Sequence, residues 1–273
     1  MIYLRTLGEP AVLNEDGSRL DDLVRQTKRF SLLLYLVCDE RQRPHRRDEL
    51  LAMFWPEGDV NRGRNALRQT LHSLRTTLGS HVIPGNGSEE IWIPQDQISS
   101  DVRTFSAAME ENAPETALAL YRGDFLSGFF LSDSPGFEDW VENRRRELHE
   151  LAFRAAEDLA FRAEDARDLS DALHWWRRAL DLHPFDEILI RRLMVLLAGS
   201  GNRGQAMAEF LSFRRSVQRE LDAAVSKETL ELAKRISEGA QAFHLEWLRD
   251  RRRNHHRTAP PHQRRSSDRA EYL

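Results

Sequence analysis

Apolar positions change period several times along this 273-residue chain. Ile2, Leu4 and Leu7, then Ala11-Val12-Leu13, follow strand spacing, with a turn signal at Asp16-Gly17 and Leu20 beyond it. From Gln26 to Asp39 the spacing becomes helical, with Phe30, Leu33, Leu34, Val37 and Cys38 on the repeat. Pro44 breaks the chain. Arg47 to Trp55 reads as a short helix with Leu50, Leu51 and Phe54 inward, stopped by Pro56. A third helix runs from Asn61 and is ended by Gly79. His81-Val82-Ile83 and Ile91-Trp92-Ile93 then flank Pro-Gly-Asn-Gly-Ser, which predicts a β-hairpin with Asn86-Gly87 in its turn.

The third helix is the most informative segment. It holds Arg62, Arg64, Arg68 and Arg75 and no acid. At about 100° per residue, Ala66, Leu67, Thr70, Leu71, Leu74 and Leu78 gather on one side. Asn61, Asn65, Arg68, Gln69, His72, Arg75 and Thr76 gather on the other. The first face suits a core. The second carries the donors that suit nucleic acid: Arg for guanine edges and phosphates, Asn and Gln for adenine. A solvated basic face is the alternative. The order of strands, three helices and hairpin, with the third helix basic, is the layout of a winged helix, whose third helix faces a major groove.

From Asp101 onward the pattern is almost wholly helical, and two segments repeat at 34 residues. Leu159 recurs as Leu193, Ala172 as Ala206 and Trp176 as Phe210. Ala172, Trp176, Ala179 and Pro184 have the spacing of a tetratricopeptide repeat, in which small residues let helices approach and the aromatic fills the gap. The second unit has Phe213 and Gln218 where Ala and Pro would stand, so it is a degenerate copy. Trp176 is expected to be buried.

Charge divides the chain further. The net charge of -4 hides -1 over residues 1–100, -8 over 101–248 and +5 over 249–273. The middle segment is a poor partner for phosphate, so a nucleic-acid role needs the local patch in the first. The tail from Arg249 has almost no apolar content and reads as disordered; its charge would reinforce DNA binding or do nothing. Cys38, the only cysteine, forms no internal disulfide and is expected to be packed in an apolar helix. No apolar run approaches the roughly 18 residues needed to span a bilayer, and the N-terminus lacks a signal-peptide pattern. The expected location is a reducing cytoplasm.

Other motifs are weaker. Gly199, Gly201 and Gly204 spell a dinucleotide-like glycine pattern, but it follows a helix rather than a strand, so a turn between repeat helices is expected. His255, His256 and His262 lie in the basic tail without supporting acids or cysteine, and His72 and His174 are isolated, so no metal site is expected. Trp176 is explained by repeat packing, and Arg177 and Arg178 beside Trp175 by a solvated face. Arg144, Arg145 and Arg146, flanked by Glu142, Glu147 and Glu150, read as an ion-paired helix. No nucleophile motif, phosphate loop with its lysine, or isolated carboxylate pair points to an enzyme or a cofactor.

Several motifs in order give a family resemblance. They are R-R-D-E-L-L-A-M-F-W-P-E at Arg46–Glu57 leading to the basic helix, D-V-R-T-F at Asp101–Phe105, and L-Y-R-G-D-F-L-S-G at Leu120–Gly128. Phe137-Glu138-Asp139-Trp140 with its arginine-rich helix and A-L-D-L-H-P-F-D-E at Ala179–Glu187 complete the set. Over residues 1–240 the chain resembles the SARP-type transcriptional regulators, an OmpR-like winged helix followed by a bacterial transcriptional activator domain. It departs from them at Arg46, where a small capping residue is usual. The resemblance implies a regulator that binds promoter DNA, often on directly repeated half-sites, and helps recruit RNA polymerase, with Asn61 to Leu78 as its recognition helix. It implies nothing about an input signal.

The expectation is therefore a mainly α protein. An N-terminal winged helix (α+β) spans residues 1–100, an all-α helical-repeat domain spans 101–248, and a disordered basic tail spans 249–273. Double-stranded DNA is the expected partner, through Asn61, Arg62, Arg64, Asn65, Arg68, Gln69, His72, Arg75 and Thr76. Asn65, Arg68 and His72 are expected at base edges; Arg62, Arg64 and Arg75 at phosphates. The repeat domain is expected to contact RNA polymerase or a second copy of the chain, with no membrane partner. The rival is a repeat-based adaptor whose winged helix binds protein.

Overall fold

A computed structural model describes residues 1–39, 43–57, 59–84 and 89–239. The Asn86-Gly87 turn and the tail with His255, His256 and His262 lie outside the described residues. The chain divides into two compact units, Met1–Arg162 and Ala163–Leu273.

In the first unit, β1 (Ile2–Arg5) is the middle strand of a three-stranded sheet. β2 (Ala11–Leu13) pairs with it antiparallel, Leu4 opposite Val12. A five-residue helix, α1 (Asp21–Arg25), leads through Gln26 into α2 (Thr27–Cys38). Every residue of α2 from Phe30 to Cys38 is buried, so this helix is enclosed all round. β3 (His45–Arg46) precedes α3 (Arg47–Phe54), and α4 (Val60–Leu78) follows. β4 (Glu90–Ile91) returns to pair antiparallel with β3, His45 opposite Ile91. β5 (Ile98–Ser100) pairs parallel with β1, Leu4 opposite Ser100. The result is a winged helix with a small sheet at the N-terminus.

Two local expectations are corrected. The basic helix is the fourth rather than the third, because α1 intervenes. His81-Val82-Ile83 forms turns and does not pair with Ile91; the partner of Ile91 is His45. The cause is local bonding. Val82 N donates to the Gly79 carbonyl at 3.2 Å, and the Ile83 carbonyl is taken by the Arg75 side chain at 2.9 Å.

The residues after β5 complete the core of this first unit. α5 (Asp101–Glu110) opens with a buried carboxylate. Asp101 accepts from Thr6 N at 2.8 Å, Thr6 Oγ1 at 2.6 Å, and Leu7 N and Val102 N at 2.9 Å. It thereby ends β1 and starts α5 with one side chain. α6 (Pro114–Leu120) leads to a loop in which Phe125 bridges to Leu7. The long helix α7 (Pro135–Asp165) begins against the helix-turn-helix. The ring of Phe137 lies 5.4 Å from that of Phe54, and Trp140 lies 5.1 Å from Tyr35. Buried Ser134 donates from Oγ to the Phe54 carbonyl, the last of α3, at 3.1 Å. Lys28 at the start of α2 donates to Ser134 Oγ and pairs with Asp133, both at 2.8 Å.

In the second unit, α8 (Leu169–Leu182), α9 (Glu187–Gly199), α10 (Arg203–Leu221) and α11 (Lys227–Ser237) follow one another. The repeat positions Ala172, Trp176, Ala206 and Phe210 are all buried. Pro184 falls just after α8 ends at Leu182. At the equivalent Gln218 α10 runs on to Leu221, where Asp222 takes a left-handed conformation. Trp176 is 1% exposed. Its Nε1 donates to Glu164 Oε1 at 2.6 Å, and Arg192 lies over its ring at 4.7 Å while donating to both Glu164 oxygens. Glu187 at the head of α9 accepts from the Ser226 N and Oγ and from Thr229 Oγ1, which ties α9 to α11.

Two stability changes follow. Trp176→Ala in the full chain should cost about 3–5 kcal/mol, the usual range for a buried aromatic, and a denaturant melt would measure it. Asp101→Asn should cost about 1–3 kcal/mol, because an amide NH2 would face backbone donors that now meet a carboxylate. A melt of the asparagine variant indistinguishable from wild type would show that this node does not hold β1 to α5.

Candidate nucleic-acid interface

Helix α4 is built to present one face. Asp59 caps it, accepting from Asn61 N at 2.6 Å and Arg62 N at 3.3 Å. That cap occupies the free amides at the helix start, so an anion there would have to displace a carboxylate. Leu67, Leu71, Leu74 and Leu78 are buried, and Ala66 and Thr70 half-buried, as their spacing requires. Gly63 sits where a side chain would come within 3.4 Å of Leu51, which lets α4 lie close to α3. At the far end Gly79 adopts φ 104°, and the His81 ring occupies the space a side chain there would need.

On the outer face Asn61, Arg62, Arg64, Asn65, Arg68, Gln69, His72 and Thr76 are exposed. Arg68 Nη2 donates to Asn65 Oδ1 at 3.1 Å, one turn back along the helix. Thr76 Oγ1 donates to the His72 carbonyl at 3.0 Å, so its hydroxyl is turned toward the helix backbone. Arg62, Arg64 and Arg68 have no carboxylate partner among the described residues. Helix α4 itself carries no acid to offset them, which gives a positive potential along it.

Arg75 stands apart from this group. It is half-buried, with Nε donating to the Ile83 carbonyl at 2.9 Å and Nη2 to the Pro84 carbonyl at 3.5 Å. Burial and the neighbouring charge of Arg47 hold its pKa below the usual arginine value. At α3 the residue in the family's small-capping position, Arg46, is exposed. Its backbone N–H is met by Glu49 Oε2 at 3.3 Å, the reverse half of a capping box. The Asp59 cap and the Arg75 contacts were not anticipated. An Asp just ahead of the first helical residue was a readable signal for the former; a contact between Arg75 and two backbone carbonyls has none.

The remaining candidate chemistry is structural. Gly201 lies in the turn between α9 and α10 at φ 86°, while Gly199 and Gly204 are helical. Cys38 is buried, which pushes its thiol up to about 12 and leaves it unreactive. Arg144 pairs with Glu147 at 2.6 Å, and Arg145 donates to the carbonyls of Phe125 and Leu126. Arg177 pairs with Glu209 at 2.8 Å. No group of three or more metal-ligating side chains occurs among the described residues, and none of their helices is long and apolar enough to cross a membrane.

Residues 99–237, more than half of the chain, match the family model described as bacterial transcriptional activator domain, and the chain belongs to that family. Among solved structures its fold is similar to Mycobacterium tuberculosis EmbR in complex with a low affinity phosphopeptide. That likeness has a TM-score of 0.55 and 19% identity over 87% of this chain. The chain spans 65% of that structure's chain. No curated protein gives a match. The family match behind a winged helix places the chain among transcriptional regulators of the bacterial transcriptional activator domain family.

Proposed function

We propose that the chain is a sequence-specific reader of double-stranded DNA, and that α4 lies in the major groove. One observation carries the reading. A 19-residue helix buries four leucines and turns Asn61, Arg62, Arg64, Asn65, Arg68, Gln69, His72 and Thr76 outward, with no acid among them. Arg68 can bridge two acceptors of guanine, and Asn65 beside it can donate to a neighbouring base. Arg62 and Arg64 at the helix start suit phosphates, which supply affinity without sequence choice. The activator-family segment then contacts RNA polymerase or a second copy of the chain, and the protein acts in the cytoplasm as an activator rather than an enzyme. The net charge of -8 over residues 101–248 supports a division of labour in which that segment stays off the DNA.

Selection of bound duplexes from a random library by the full chain, followed by anisotropy titrations, tests this. Arg68→Ala should lose about 1–3 kcal/mol on the selected site and flatten discrimination at one base position. Affinity for scrambled duplex should change much less. If Arg68→Ala and wild type bind every duplex alike while both remain folded, α4 does not read DNA.

A further inference from the structure

Arg75 carries an inference that rests on the DNA-reading role of α4. We infer that Arg75 is a positioning residue, a latch that fixes where the chain leaves the reading helix for strand β4, and that its charge is spent on protein rather than on phosphate. Arg75 lies in the last turn of α4. Its Nε meets the Ile83 carbonyl and its Nη2 reaches the Pro84 carbonyl, so one planar group spans two successive peptides. Those peptides belong to a shaped turn. Gly79 is left-handed, the His81 ring packs over it, Val82 N returns to the Gly79 carbonyl, and the side chains of Val82 and Ile83 are both 1% exposed.

On the far side, Glu89 and β4 are held to the helix-turn-helix. Arg47 N donates to the Glu89 carbonyl at 3.0 Å, and Arg46 and His45 pair with Glu90 and Ile91. The connection from α4 is thus clamped at both described ends, by Arg75 at Ile83 and Pro84 and by the start of α3 at Glu89. Loss of the Arg75 end would release Ile83 and Pro84 from the last turn of α4 while β3–β4 stays paired. The C-terminal half of α4, which carries exposed His72 and Thr76, would then lose its tie to Ile83 and Pro84.

Arg75→Lys and Arg75→Gln in the full chain separate a latch from a phosphate contact. Lysine keeps the charge but places a methylene where Nε now donates to Ile83. Affinity for the selected duplex should fall about tenfold in both variants, the scale of losing one or two hydrogen bonds to a charged donor. Thermal melts identify a variant that fails to fold, and if the glutamine variant does so the lysine variant decides alone. Wild-type affinity in the lysine variant overturns the latch. It is replaced by a phosphate contact if the glutamine variant also shows a salt slope shallower by about one unit. A wild-type chain that binds no duplex overturns the DNA-reading role itself, and the inference with it. Wild-type binding with an intact Arg68 effect and a fully active lysine variant overturns only the latch.

Discussion

Helix α4 depends on a core that the winged helix does not complete by itself. Helix α2 is buried on every side, and the strands and helices before residue 101 do not supply all of its neighbours. Tyr35 and Phe54 are met by Trp140 and Phe137 from α7, and Phe30 by Phe129. Ser134 closes the last carbonyl of α3, and Lys28 ties the start of α2 to the same point. The family match begins at residue 99, yet the compact unit that holds α4 runs to Arg162. The orientation of α3, and of α4 packed against it through Gly63, is therefore set partly by residues of the activator domain. That gives a physical reason for the two segments to occur in one chain.

Charge is handled locally. An acidic protein can present a basic helix because α4 carries no carboxylate and the acid just ahead of it, Asp59, faces the helix amides as a cap. The arginines of α4 differ in what they meet. Arg62, Arg64 and Arg68 are exposed, while Arg75 gives up hydration to bond with two carbonyls. Arginine density alone does not separate these tasks. Among the other arginines, Arg145 bonds to loop carbonyls, and Arg192 pairs with a nearly buried glutamate under Trp176.

Periodic features were legible in the sequence because burial has a period. Leu67, Leu71, Leu74 and Leu78 mark one face of α4, Trp176 and Phe210 occupy repeat positions, and Gly201 falls in a turn between helices. The mainly α class and the winged helix ahead of the activator family were readable for the same reason. What escaped was set by contacts distant in the chain or by competition for backbone groups. Five residues at Asp21–Arg25 are too few to show a helical period. The apolar run at His81–Ile83 looks like a strand, but Arg75 and Gly79 take the bonds a strand would use. Asp101 was visible as part of a motif, while its four donors, three of them from Thr6 and Leu7, became visible only in the fold.

The central claim is that the exposed face of α4 meets the phosphates and bases of duplex DNA. The most direct measurement is a salt titration of full-chain binding to random duplex. Contacts from Arg62 and Arg64, with Arg68 free to join them on non-specific sequence, should give a log–log slope of about -2 to -3, since each neutralised phosphate contributes about -0.9. A slope near zero, or no binding at low salt, would contradict the account and favour a protein-binding role for the winged helix.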